Sequence, residues 1–227
     1  MPSPVLLAPS PPGPATVPGS AGIRRRLESA VAVFASPATR ILLASDGLTT
    51  TLLQAAVGWP LAAQVHRIEA VDGRGVSAAA RFLLCAGERD RFLVRQTTLV
   101  LPSGEPVSEN TVVLRLGVDP RIDAVAADGS RPIGFALAEA DLIHERRIVS
   151  AGAAHWPLAP GTPRCVSKTY VLTARTPTVP VLCIQELFNP SFISAAPTPA
   201  RQSADSGGRR TPLVLLPEGA PCSARPS

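Results

Sequence analysis

Aromatic side chains are scarce in this chain: phenylalanine, tryptophan and tyrosine make up 4% of its 227 residues. That excludes the stacked aromatic platforms with which proteins grip single-stranded nucleic acid. Lysine is scarcer still, with Lys168 alone, so the positive charge is arginine. Of the net charge of +5, Arg24, Arg25 and Arg26 carry three and the segment from position 195 carries two, which leaves residues 27 to 194 neutral. A neutral central region offers no basic face to a phosphate backbone, and no nucleic-acid partner is expected. No stretch approaches the roughly 20 consecutive apolar residues of a membrane span, so no membrane partner is expected either. The first 20 residues lack both a basic segment and an unbroken apolar run, a poor match to an export signal, and the expected location is cytoplasmic.

Chemistry-bearing motifs are equally thin. Cys85, Cys165, Cys183 and Cys222 form no C-x-x-C pair and read as reduced, mostly buried thiols. His66, His144 and His155 show no short ligand spacing; His144 and Glu145 begin an H-E-x-x-H, but Ile148 stands where the second histidine belongs. Nucleophile elbows, phosphate loops and the dinucleotide fingerprint are absent, so no metal and no cofactor is implied.

Hydrophobic residues make up 45% of the chain, enough for one aliphatic core. Thirteen of the 25 prolines fall in positions 1–20 and 195–227. This divides the chain into a disordered leader (1–20), one folded domain (21–193) and a disordered tail (194–227). Within the domain, GIRRRLESAVAVFA has helical spacing and Pro37 is expected to end it. ILLAS reads as a strand or turn that feeds a helix through Leu52, Leu53 and Ala56, stopping at Gly58. Beyond Pro60 the period shifts towards two. Six strands are expected, in LAAQVHRIEA, VSAAARFLLC, RFLVRQTTLVL, SENTVVLRL, SKTYVLTAR and VPVLCIQELF, separated by turn clusters. RPIGFALAEADLIHE interrupts them as one short helix opened by Pro132. The fold class is α+β: a six-stranded, mostly antiparallel sheet with helices packed around it.

Two charged residues lie inside apolar strands. Alternation places Arg95 on the face of Leu93, Thr97 and Leu99, and Glu186 on the face of Leu182 and Ile184. They read either as a buried ion pair, as edge residues reaching solvent, or as the polar lining of an anion pocket. ASDGLT and SRPIG each open a helix, whose free N–H groups suit a carboxylate.

The order of these motifs resembles the chorismate lyase family. The resemblance is carried by L-L-x-x-D-G-x-T, the arginine strand LVRQTTLVLPSGEPV, a strand ending VVL, the P-I-G helix start and an apolar strand running into E-L-F, over positions 40–192. It implies that family's six-stranded fold and a cofactor-free lyase that converts chorismate to 4-hydroxybenzoate and pyruvate. It resembles the bacterial branch serving secondary metabolism and ubiquinone-like biosynthesis. Arg95 would clamp the carboxylate and Glu186 contact the ring hydroxyl, the two catalytic residues. Leu48 and Ile133 would bind substrate through their backbone N–H groups. Asn110 stands where related members carry a second arginine. The same fold without turnover would give a small-molecule sensing domain for an aromatic acid, the alternative expectation. A monomer is the expected oligomeric state.

Overall fold

A computed structural model describes residues 20–199, with side chains from Arg24 onward. The leader and most of the expected tail lie outside the described residues, as does Cys222. The elements, in chain order, are helices α1 (Ser20–Ala32), α2 (Pro37–Ala44) and α3 (Thr49–Val57), strand β1 (Ala62–Asp72), helix α4 (Ala78–Leu83), strands β2 (Arg91–Val100) and β3 (Pro106–Arg115), helices α5 (Pro120–Ala127) and α6 (Ile133–Glu139), and strands β4 (Ile143–His155), β5 (Arg164–Ala174) and β6 (Pro180–Phe188). The strands form one six-stranded sheet in the order β1-β2-β3-β6-β5-β4. Every neighbouring pair is antiparallel. The α+β class and the strand number agree with the sequence reading.

Five elements differ from that reading: ILLAS, expected as a strand or turn, lies mostly in α2, α5 was not expected, and α4, α6 and β4 depart as follows. Pro37 opens α2 instead of merely ending α1: the Ser36 hydroxyl accepts from Thr39 N at 3.2 Å, and proline fits the first turn because its missing N–H has no partner to lose. VSAAARFLLC, expected as a strand, contains helix α4 instead. Ser77 caps Ala80 N, and three alanines behind the cap favour helix where alternation alone suggested strand. The sixth strand is instead β4, hidden in the sequence because charged residues (His144 to Arg147) and small ones (Ser150 to Ala154) blur its alternation. The helix over 132–145 accordingly stops at Glu139, and Asp141, at φ 49°, turns the chain into β4. Gly58 does end α3, in the left-handed conformation at φ 75°.

The pleat sorts the core into two layers. One face carries Leu93, Val112, Leu114, Leu182, Ile184, Tyr170 and Leu172 beneath α5 and α6, and continues through Leu99, Phe188 and Val166 beneath α1, α2 and α3. The other face carries Val94, Val113, Cys183, Val171 and Val149, covered by α4. Packing continues past residue 193: Ala195 is buried, Ser194 O accepts from the Thr39 hydroxyl, and Pro197 bridges to Phe34. Cys165 and Cys183 are free and buried, and burial pushes their thiols up to about 11 and about 12.

The turn after β1 depends on Gly73. A Cβ there would lie 2.4 Å from Gly87 O and 2.7 Å from Glu88 Cα, both backbone atoms that cannot swing away. Gly73→Ala is expected to cost about 2 kcal/mol, read as a lowered melting temperature. An unchanged melting temperature would show that the two turns do not meet this closely.

Candidate functional site

Antiparallel register aligns four polar residues across the sheet. Thr97 faces Asn110, Asn110 faces Glu186, and Glu186 faces Lys168. Paired residues share a face, so this row crosses the centre of the sheet on the side covered by α1, α2, α3, α5 and α6. The adjoining row, Arg95, Val112, Ile184 and Tyr170, lies on the same face. All eight residues are buried.

Above these rows lies a cavity whose empty space is about 450 Å³, part of it open to solvent. Thr97, Asn110, Val112, Ile184, Tyr170 and Glu186 form its floor. Its walls are Leu48 and Thr49 at the start of α3, Pro132, Ile133 and Gly134 at the start of α6, and Arg146 from β4. The two helix starts meet across it, since a Cβ on Gly134 would lie 3.7 Å from Leu48 Cδ2. Leu48, Ile133 and Glu186 therefore lie around one cavity.

Arg95 does not line it. The side chain is 1% exposed and points inward, as its alternation implies, but its guanidinium is spent on main chain. Nη1 donates to Asp128 O at 2.6 Å, Nη2 to Arg131 O at 2.8 Å, and Nε to the Thr97 hydroxyl at 3.3 Å. It thus holds the α5–α6 connection against β2 and makes no ion pair with Glu186. Asn110, in place of the second family arginine, hydrogen-bonds with Ser108 at 3.2 Å.

Glu186 has different partners. The Tyr170 hydroxyl donates to its Oε1 at 3.0 Å, while its Oε2 is buried without a hydrogen bond. The Thr49 hydroxyl lies beside both residues, close enough to bias their protonation, yet it makes no hydrogen bond of good geometry. Burial pushes the Glu186 carboxyl up, opposed first by Lys168, then by Thr49, Tyr170 and Arg146. The Tyr170 phenol is likewise raised well above its ordinary range by burial and by the Glu186 charge. Burial lowers Lys168, and Glu186 opposes that shift.

Two cations flank Tyr170: the Arg146 guanidinium 4.7 Å from the ring centroid and the Lys168 ammonium at 5.4 Å. Each also donates to the chain around the α2–α3 connection, Arg146 to Gly47 O at 2.8 Å and Lys168 to Leu42 O and Ser45 O at 3.1 and 3.2 Å. Sequence reasoning passed over Arg146, Tyr170, Thr49 and Lys168. The alternation of SKTYVLTAR, which puts Lys168 and Tyr170 on one face, was a usable signal; Arg146 fell just past the segment read as a helix, where no element was expected.

Of the histidines, His66 on β1 pairs with the Thr98 hydroxyl at 2.7 Å on the opposite face of the sheet. Among the described residues no three His, Cys, Asp or Glu side chains gather where a metal ion could sit. No described helix is long and apolar enough to cross a membrane.

No protein-family model matches the chain, and no curated protein matches it by sequence. Solved structures do. PhnF from Mycobacterium smegmatis superposes with a TM-score of 0.53 at 12% identity, over 65% of this chain and 66% of that one. The matched region thus spans just under two thirds of that neighbour's length. The separate effector domain of PhnF superposes at 0.52 and 12% identity, over 65% of this chain and 91% of the domain. The C-terminal domain of the histidine utilization repressor from Pseudomonas syringae pv. tomato reaches 0.48 at 12% identity, over 66% of this chain and 99% of that domain. The chain therefore has the chorismate lyase-like fold of PhnF and its effector domain.

These findings overturn the catalytic expectation. The fold is shared with an effector domain, and the arginine assigned to the carboxylate clamp faces main-chain carbonyls instead of the cavity. The lyase activity falls, together with the catalytic roles of Arg95 and Glu186 and the conversion of chorismate to 4-hydroxybenzoate and pyruvate. The resemblance seen in the sequence is one of fold.

Proposed function

We propose that this domain is a ligand-binding, effector-type module that takes a small organic anion into the cavity between the sheet and the starts of α3 and α6, without turning it over. The observation that carries this reading is a built but unsatisfied cavity. Glu186 Oε2 and Thr49 Oγ1 are both buried in its lining and lack hydrogen-bond partners. A buried polar atom without a partner costs roughly 1–3 kcal/mol, so a ligand that satisfies these atoms recovers free energy that the empty protein lacks.

Charge supports an anion as the class of ligand. Arg146 reaches the cavity and Lys168 lies behind its floor, against one carboxylate, Glu186. An anion is favoured over a cation there, and the apolar lining of Leu48, Leu99, Val112, Ile133 and Ile184 suits a flat hydrocarbon ring or short chain. A carboxylate would lie towards Arg146 and the N–H groups at Leu48 and Thr49. A hydroxyl or amine of the ligand would reach Glu186. Arg95 acts in this account as a positioning residue for the α6 wall. The fold supports the alternative aromatic-acid sensing expectation. It gives no support to the expected exclusion of a nucleic-acid partner, which rested on charge and on the scarcity of aromatic side chains.

The test is calorimetric titration with 4-hydroxybenzoate, wild type beside Arg146→Met. Wild type is expected to bind. The variant is expected to lose roughly tenfold in affinity, as for one charge-assisted contact at a half-exposed position. An unchanged affinity would remove Arg146 from the site, and absence of binding by this probe together with aliphatic hydroxy acids would overturn the reading.

A further inference from the structure

The single lysine of this chain lies wholly buried against the floor of the cavity. A lysine at 0% exposure is unusual, because an ammonium loses its hydration there and must find partners. Lys168 finds them on three sides: Leu42 O and Ser45 O accept two of its N–H bonds, the Tyr170 ring lies 5.4 Å from Nζ, and Glu186 stands directly opposite in the β5–β6 register.

We infer that Lys168 is a specificity-determining residue of the cavity, holding Glu186 as an ionised hydrogen-bond acceptor so that the free Oε2 selects ligands that donate a hydrogen bond there. The inference rests on the ligand-binding reading above. The groups that face Glu186 are Tyr170 and Lys168 from β5, Asn110 from β3, Arg146 from β4 and Thr49 from α3. Only Lys168 and Arg146 among them carry charge. Arg146 is half-exposed and also bonded to Gly47 O, so its field is screened by water. Lys168 is buried, and it is first among the influences that oppose burial in setting the protonation of Glu186. Asp46 acts on Lys168 from the α2–α3 connection and supports its charged form.

Without the ammonium, a carboxyl in this surrounding takes up a proton. Oε2 then becomes an O–H donor, and the cavity beside Glu186 prefers a ligand acceptor to a ligand donor. The sign of the pH dependence follows. Burial raises Glu186, so it accepts a ligand hydroxyl above its own titration step and loses that ability as pH falls through that step. Removal of Lys168 moves that loss to higher pH.

The test uses the whole chain with two probes, 4-hydroxybenzoate, which can donate from its ring oxygen, and 4-methoxybenzoate, which cannot. Wild type and Lys168→Arg are expected to prefer the hydroxy acid by roughly tenfold at a pH above the wild-type Glu186 step. Lys168→Met, which keeps length and drops charge, is expected to lose or reverse that preference. A second readout needs no ligand. Carboxyl-carbon NMR of protein labelled at glutamate, with Glu186→Gln to identify the signal, should place the Glu186 titration step at higher pH in Lys168→Met. A Lys168→Met protein with both the wild-type preference and the wild-type step overturns the inference. If neither probe binds wild type, the ligand-binding reading fails, and the NMR step still decides whether Lys168 governs Glu186. Should Lys168→Met not fold, Glu186→Gln must abolish the hydroxy preference at every pH; a preference that persists overturns the inference by that route.

Discussion

Replacing Arg95 by methionine is expected to destabilise the domain by about 3 kcal/mol, a loss of roughly 6–12 °C in melting temperature for a domain of this size. The reason lies in what the guanidinium holds. Asp128 O and Arg131 O belong to the connection between α5 and α6, and Arg95 is the buried donor that satisfies both. Methionine fills much of the same volume, so the cost comes from carbonyls left without a donor in a place water reaches poorly, and from the connection coming loose. The sequence expectation, an arginine poised to clamp a ligand, leads to the opposite outcome. A guanidinium waiting over an open cavity is a strain on the empty protein, and its removal would leave the melting temperature unchanged or raised while abolishing binding. Thermal melts of the two proteins without ligand separate the alternatives.

Filling the cavity is expected to abolish binding while leaving the fold in place. Val112 lies at the centre of the sheet on β3, forms part of the cavity floor, and is 2% exposed. In a close-packed core, phenylalanine at a valine position costs roughly 1–3 kcal/mol because the ring has nowhere to go. Here it has somewhere to go, namely the empty space under Leu48 and Ile133. Val112→Phe is therefore expected to cost under about 1.5 kcal/mol and to weaken binding of 4-hydroxybenzoate by more than roughly 100-fold, since the ring occupies the ligand's place. Severe destabilisation would mean that no space of this size exists there. Retained affinity would place the ligand elsewhere. Unlike the exchanges at Arg146 and Lys168, this one is independent of how charge is shared among Glu186, Lys168 and Arg146.

The inward direction of Arg95 and Glu186 was legible in the sequence, because alternation within a strand depends only on the pleat. So were the starts of the helices carrying Leu48 and Ile133, which turn chemistry marks. The partner of Arg95 was not legible. Its acceptors are main-chain carbonyls more than thirty residues away, and a carbonyl oxygen leaves no trace in the identity of the residue that bears it. The same holds for Lys168, whose acceptors are Leu42 O and Ser45 O. A protein that uses its buried cations to hold main chain looks, in sequence, like one that uses them to hold a ligand. Arg146 was lost for another reason. It lies on an edge strand whose charged residues need bury on one side only, so neither period two nor period 3.6 stands out. Alanine misled in the other direction at α4, where VSAAARF fits a strand by hydrophobicity and a helix by propensity, and the Ser77 cap decided it.

The central claim is a cavity that binds a small hydroxylated organic anion and leaves it unchanged. Proton NMR of chorismate incubated with the purified protein reads both halves in one sample, because chorismate carries the carboxylate and hydroxyl that the cavity is expected to recognise. The account predicts broadened ring-proton signals, reversed by excess 4-hydroxybenzoate, with no pyruvate methyl signal appearing over hours. Growth of that methyl signal at a rate that depends on protein concentration would contradict the account, and so would ring signals that stay sharp for both compounds.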